Sequence, residues 1–167
     1  MDITIRTWTM ADAPALAQIL NNKNVQDNLR DGLPFPYTVT DAEAYISAML
    51  SADRDQIYPW AILVDDTVAG SIGVFRKANV HRLTAEMGYY IAETHWGKGV
   101  MTEAIRQVCR HIWAHTDIVR IFAEPYANNI ASCRALEKAG FVCEGTLRNH
   151  AIKHGVLLDS KMYARIK

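Results

Sequence analysis

Apolar and polar residues alternate over residues 3–7, the two-residue period of a half-buried strand. The period then lengthens: Ala13, Leu16, Ile19 and Leu20 recur at helical spacing behind Thr9 and Asp12, which supply a start signal. Pro14 fits only the first turn of that helix, where a missing amide costs nothing. Residues 31–37, with Gly32, Pro34 and Pro36, read as a loop. Thr40 and Glu43 have the spacing of a capping box and open a second helix that runs to Leu50. Residues 60–64 and 68–75 are strands joined by a hairpin at Asp65-Asp66-Thr67, and a strand over 84–91 is interrupted by Gly88. The longest helix, 99–115, places Met101, Ala104, Ile105, Val108 and Ile112 on one face. A strand at 118–124, a helix at 129–139 ended by Gly140, and a closing hairpin of 143–153 and 156–165 complete the pattern. Consecutive strands with only some helical crossovers predict an α/β (α+β) domain with a mixed sheet, not a doubly wound parallel one.

Composition narrows the class. The chain has 167 residues, half of them hydrophobic and 22% charged, which suits one cored domain over residues 1–167. Its net charge is zero, so it carries no global footprint for nucleic acid or an anionic membrane. No apolar run approaches the ~20 residues of a bilayer span, and the first residues lack the basic-then-apolar order of a signal peptide. Cys109, Cys133 and Cys143 are an odd set without a CxxC pair, so buried, reduced thiols are expected. The expectation is a soluble cytoplasmic protein, monomer or homodimer, with no nucleic-acid or membrane partner.

Two segments carry candidate chemistry. Trp96-Gly97-Lys98-Gly99-Val100-Met101-Thr102 follows a strand and opens the longest helix. Glycines there let the backbone approach a ligand, and free amides at a helix start make an anion site to which Lys98 adds charge. An ordinary strand-to-helix turn has the same composition. The second segment, Asn129-Ile130-Ala131-Ser132, starts the next helix, which ends in Glu137-Lys138-Ala139-Gly140-Phe141. Taken singly, Asn129 is an N-cap and Gly140 a C-cap. The signal lies in the succession: strand, glycine turn, helix, strand, Asn-x-x-Ser helix, Gly-Phe, hairpin.

On these residues the chain resembles the GNAT superfamily of N-acetyltransferases, and within it the ribosomal-protein N-terminal acetyltransferase-like branch. The resemblance spans nearly the whole chain. The family's coenzyme A loop, Gln/Arg-x-x-Gly-x-Gly/Ala, falls on residues 96–101, with Gly99 on a glycine position and Trp96 and Met101 departing from the two ends. The later motif falls without a gap on Asn129, Ser132, Lys138, Gly140 and Phe141. What the resemblance implies is a mixed central sheet of about seven strands, splayed between its two central strands, with about four helices. It implies acetyl-CoA as cofactor, its pyrophosphate on the amides of Gly97, Lys98, Gly99, Val100, Met101 and Thr102, with Trp96 at the loop's start. The pantetheine arm would run beside residues 87–91. Gly88 would mark a bulge that opens the splay, or be a plain strand glycine. Asn129 would reach the pantetheine or acetyl end, Ser132 would lie near the sulfur, and the amide near Tyr90 or Ile91 would be the oxyanion donor.

Acetyl transfer to an amine needs a neutral amine and a proton for the departing thiolate. Many relatives supply that proton from a Tyr seven residues after the Asn; here the position is Leu136, which leaves Ser132 or water. Glu86 is the candidate base, on the same strand face as Gly88 and Tyr90, with an ion-paired surface residue as the plain alternative and Glu124 as rival. Phe35 and Tyr37 sit on the proline-rich loop, in the region that borders the acceptor site in the family. His111 and His115 have zinc-like spacing but no evident third ligand, and no metal is expected. The implied activity is acetyl transfer to a primary amine, first a protein or peptide N-terminal α-amine. A polyamine, amino acid or aminoglycoside is the second reading, and a non-catalytic acyl-CoA sensor is a third of different class.

Overall fold

The computed structural model describes residues 1–167. Its strands are β1 (Ile3–Arg6), β2 (Ile57–Val64), β3 (Thr67–Arg76), β4 (Thr84–Ile91), β5 (Arg120–Ala123), β6 (Val142–Lys153) and β7 (Val156–Ile166). The helices are α1 (Ala13–Leu20), α2 (Lys23–Gln26), α3 (Val39–Leu50), α4 (Val100–His115) and α5 (Ile130–Lys138). All seven strands join one sheet in the order β1-β2-β3-β4-β5-β7-β6. Only the β4–β5 pair is parallel. The mixed sheet expected from the pattern is therefore present, with the four-residue α2 as an element that periodicity was too short to reveal.

The two faces of the sheet carry separate cores, and β2 shows why. Trp60, Ile62 and Val64 belong to the larger core with α4 and α5, whereas Ala61 and Leu63 belong to the smaller one with α1 and α3. Both sets of alternate side chains are buried, so this strand reads as an unbroken apolar run. It also extends back to Ile57 through Pro59. The bond from the Arg76 amide to the Gln56 carbonyl fixes the alternation, which turns the Pro59 nitrogen away from β3. On that side β1 pairs only with residues 61–64, so no ladder bond is lost.

Three local expectations need correction. The cap of α3 is Thr38, whose Oγ1 accepts from the Asp41 amide at 3.2 Å while Asp41 accepts from the Thr38 amide at 2.8 Å. The box is thus Thr38 with Asp41, two residues before Thr40 and Glu43. Gly88 does not interrupt its strand: the β3–β4 register runs unbroken, with Gly88 opposite Gly73. Cys143 is exposed, unlike Cys109 and Cys133. His111 and His115 stack on each other at 4.3 Å, and His111 meets the Trp60 ring edge-on at 5.3 Å, so packing accounts for their spacing.

Candidate active site

The site begins where two strands part. β4 pairs with β5 only at Thr84, Ala85 and Glu86, yet it stays paired with β3 as far as Ile91. The splay expected from the resemblance is thus present, produced by divergence from β5 and not by a bulge at Gly88. The bond from the Ala92 amide to the Ala69 carbonyl sets the ladder, so Tyr90 and Gly88 direct their backbone groups at β3. Met87, Tyr89 and Ile91 by the same alternation present theirs to the gap. The Ile91 carbonyl accepts from Trp96 Nε1 at 3.1 Å, which leaves its amide as the open donor at the top of the splay. Of the two oxyanion candidates, Ile91 and not Tyr90 therefore has the required orientation. A cavity of about 1110 Å³ runs through the opening, lined by residues from both faces of the sheet.

On the α4 side the lining is largely backbone. Gly97 and Gly99 have φ of +72° and +78°, in the left-handed region, and Gly99 caps α4. The amides of residues 97–102 donate to no carbonyl or side chain within the chain. The first turn of any helix leaves such donors unfilled, and here two preceding turn residues add to them. His95, on the short turn before the loop, lines the same cavity and buries an Nδ1 with no partner. A run of unmatched donors at the positive end of a sixteen-residue helix fits a pyrophosphate. Lys98 is exposed and lies outside the lining, so its charge acts from the rim.

Asn129 caps α5, its Oδ1 accepting from the Ser132 amide at 3.3 Å, and both residues line the cavity. The Ser132 hydroxyl lies 2.7 Å from the phenol oxygen of Tyr89, a residue the sequence pattern did not single out. Tyr89 occupies the core-facing side of β4, where an aromatic needs no functional reason to be. Leu136 is fully buried, so the residue at that helix position packs and does not reach the cavity.

The opposite side of the gap is built from side chains. Glu86 lines the cavity, but its carboxylate accepts from Arg30 at 2.5 Å and lies 3.7 Å from Lys77. The ion-paired alternative for Glu86 therefore describes its surroundings. Glu124 lines the same cavity and makes neither an ion pair nor a hydrogen bond. Tyr45, Ser71 and Tyr90 form the floor, with Tyr45 Oη and Ser71 Oγ 3.4 Å apart. Burial raises the phenol pKa of both tyrosines, so both stay protonated. A second cavity of about 500 Å³ adjoins the first through Arg30, Glu86 and Glu124.

The proline-rich loop contributes Arg30, Asp31, Gly32 and Leu33 to the wall, not the two aromatics expected to border it. Tyr37 is only 5% exposed and packs in the smaller core. Phe35 is 51% exposed but stands outside the lining, with Lys23 Nζ 5.0 Å over its ring. Leu29 and Asp31 are held from far away in the chain. The Leu29 carbonyl accepts from Tyr126 Oη at 3.1 Å and from Lys153 Nζ at 2.9 Å, and Lys153 also pairs with Asp31 at 2.9 Å. His154 Nε2 lies 2.8 Å from Asp27. The Lys153 and His154 contacts come from the tip of the β6–β7 hairpin and the Tyr126 contact from the segment after β5, and sequence spacing gives no signal of them.

Residues 2–142 match the model of the acetyltransferase (GNAT) domain, and the chain belongs to that family. It is 36% identical over 168 residues to the uncharacterized N-acetyltransferase YoaA of Bacillus subtilis, covering 99% of this chain and 93% of that protein. The probable N-acetyltransferase YjcK of the same organism is 35% identical over 114 residues, 67% of this chain and 63% of YjcK. Among solved structures, RimL, a ribosomal L7/L12 alpha-N-protein acetyltransferase in complex with coenzyme A, superimposes with a TM-score of 0.86 at 23% identity, covering 98% of this chain and 93% of that one. The protein is an acetyl-CoA-dependent N-acetyltransferase with an amine acceptor, and none of its helices is long and apolar enough to cross a membrane.

Proposed function

We propose that the acceptor is an N-terminal α-amine of a peptide or protein. The observation that carries the reading is the pair of adjoining cavities, which share Arg30, Glu86 and Glu124. A small amine needs one chamber; a peptide has a chain to place in the second. On the early loop, Asp31 is paired with Lys153 at 2.9 Å and so is not free to draw a polycation. RimL, whose fold this chain shares, is likewise a protein α-N-acetyltransferase. Energetics favour the same choice. An α-amine of pKa about 7.7–8.0 is neutralised at pH 7 for ~1 kcal/mol, and a lysine amine of pKa about 10.4 for ~4.6 kcal/mol.

Bound acetyl-CoA supplies the acetyl group as a thioester. The amides of residues 97–102 hold its phosphates, with Trp96 bracing the loop through its bond to Ile91. Asn129 orients the start of α5, and the Ile91 amide faces developing charge on the acetyl oxygen. Ser132 offers its proton where the sulfur departs. Of the two carboxylates, Glu124 is free to take the amine's proton through water, while Glu86 holds Arg30 and Lys77 along the acceptor wall.

The test is a panel of peptides with free α-amines, α-blocked lysine peptides, polyamines, amino acids and aminoglycosides, followed by release of free coenzyme A at pH 7. Fastest turnover of free α-amines is expected. Faster turnover of blocked lysine peptides or of a small amine overturns the acceptor assignment, and no turnover with any amine would favour the sensor.

A further inference from the structure

We propose that Tyr89 is a positioning residue for acetyl transfer: its phenol donates to Ser132 Oγ and so turns the single proton of Ser132 toward the departing sulfur. The proposal rests on the reading of Ser132 given above and adds a residue to it. The two hydroxyls come from β4 and the first turn of α5, 43 residues apart in the chain, and their oxygens are 2.7 Å apart. Both residues line the cavity on the coenzyme A side of the gap. Each hydroxyl has one proton to give, so in the contact between them one proton is used and the other remains free.

Chemistry decides which. A phenol oxygen delocalises a lone pair into its ring, which makes it the better donor and the poorer acceptor of the two. Ser132 has no competing call on its proton, because its hydroxyl bonds no carbonyl of the preceding turn, the usual partner of a helical serine. With Tyr89 donating, the free proton belongs to Ser132, at the mouth of the helix that faces the cavity. The helix position at which many relatives carry a tyrosine, Leu136, is buried away from the cavity and brings no hydroxyl.

Tyr89 is suited to hold a proton and not to pass it on. Its ring packs against the larger core, and burial raises its pKa well above that of an ordinary phenol. A buried phenolate would be costly, so the relay ends at Ser132. As the C–N bond forms and the C–S bond breaks, the electron pair of the latter goes to sulfur together with the Ser132 proton. The serine oxygen regains a proton from cavity water, which has received the one shed by the amine. Tyr89 keeps its own proton throughout.

The experiment is a double-mutant cycle of Tyr89→Phe and Ser132→Ala in the full chain, using whichever panel amine turns over fastest. Tyr89→Phe is expected to lower kcat by roughly 10–10²-fold with the KM for acetyl-CoA within about twofold. In the Ser132→Ala background the same change should leave kcat nearly unmoved, because it acts only through the serine. Independent, multiplicative losses overturn the proposal, as does a wild-type kcat for Tyr89→Phe beside a slow Ser132→Ala. A wild-type kcat for Ser132→Ala instead removes the underlying reading of the serine. A second variant does not depend on how Tyr89→Phe folds: tetrafluorinated tyrosine at position 89 keeps the shape but ionises several pH units lower, enough to bring even a raised phenol pKa toward the assay range. Since a phenolate cannot donate, a new alkaline loss of kcat is expected, absent when Ser132 is alanine; an unchanged pH profile overturns the assignment.

Discussion

The two halves of the cavity are made from different materials. On the coenzyme A side, consecutive amides from one loop and one helix start point into the opening without partners. On the acceptor side, the wall is assembled from side chains of the early loop, β3, β4 and the segment after β5, many already paired with one another. A backbone cradle reads a phosphate whatever the neighbouring side chains are. A side-chain wall can be altered residue by residue without disturbing the cradle. Under the proposed assignment the first half would fix the cosubstrate and the second would be where acceptor choice resides.

The contrast can be broken most severely at the junction. Ser132→Ala should lower kcat by roughly 10²–10⁴ while acetyl-CoA affinity by calorimetry stays near wild type; a change in melting temperature alone would make the serine a helix-start residue. Gly99→Val should weaken acetyl-CoA binding by about 10–10²-fold, since a branched residue at φ +78° is strained and re-aims the amides. No atom lies within 4 Å of the added Cβ, so the fold should persist. A folded variant with unchanged affinity would remove the cradle assignment.

Smaller effects should separate the acceptor wall from the cradle. Glu124→Gln should slow α-amine acetylation about tenfold at pH 7, the amount by which an amine of pKa near 8 is protonated, and recover as pH rises above 8. Glu86→Gln should instead raise the acceptor KM by freeing Arg30 and Lys77; a pH-dependent kcat defect in Glu86→Gln alone would return the base to Glu86. Lys153→Met should raise the acceptor KM a few-fold, on the order of an exposed ion pair, and leave acetyl-CoA affinity unchanged. Lys153 holds the Asp31 carboxyl below its usual pKa. The tie is therefore complete above the ordinary carboxylate value of about 3.9 and is lost only as pH falls through the depressed one. Limited proteolysis of the loop as a function of pH would follow it.

The same division explains what the sequence disclosed. The cradle was legible because its requirement is local: glycines at a strand-to-helix turn, then an Asn-x-x-Ser start one crossover later. Ser132, Asn129 and the loop lie together as that pattern implies. The strand and helix order was legible for the same reason, since each element satisfies its own period. The α3 cap was misplaced because Thr38 and Thr40 both stand three residues before an acid, and only geometry chooses between them. Tyr89 was illegible because a β-strand aromatic facing a core is ordinary until a serine from elsewhere meets it. Tyr37 was misjudged because loop residence does not dictate exposure: it is drawn into the core among Trp8, Ala42 and Ile46. The Leu29 clamp spans 124 residues to Lys153, beyond the reach of any pattern.

That clamp also imposes a timetable. β4 and α4, which carry the cradle, are complete in the chain by His115, whereas Leu29, Asp31 and Asp27 gain their fastenings only once Lys153 and His154 exist. Contacts of such long sequence separation form late and slowly, after the entropy of closing the intervening chain has been met. In a molecule leaving the ribosome the residues of the cradle are therefore synthesised well before those that fasten the acceptor wall, which waits on the β6–β7 hairpin.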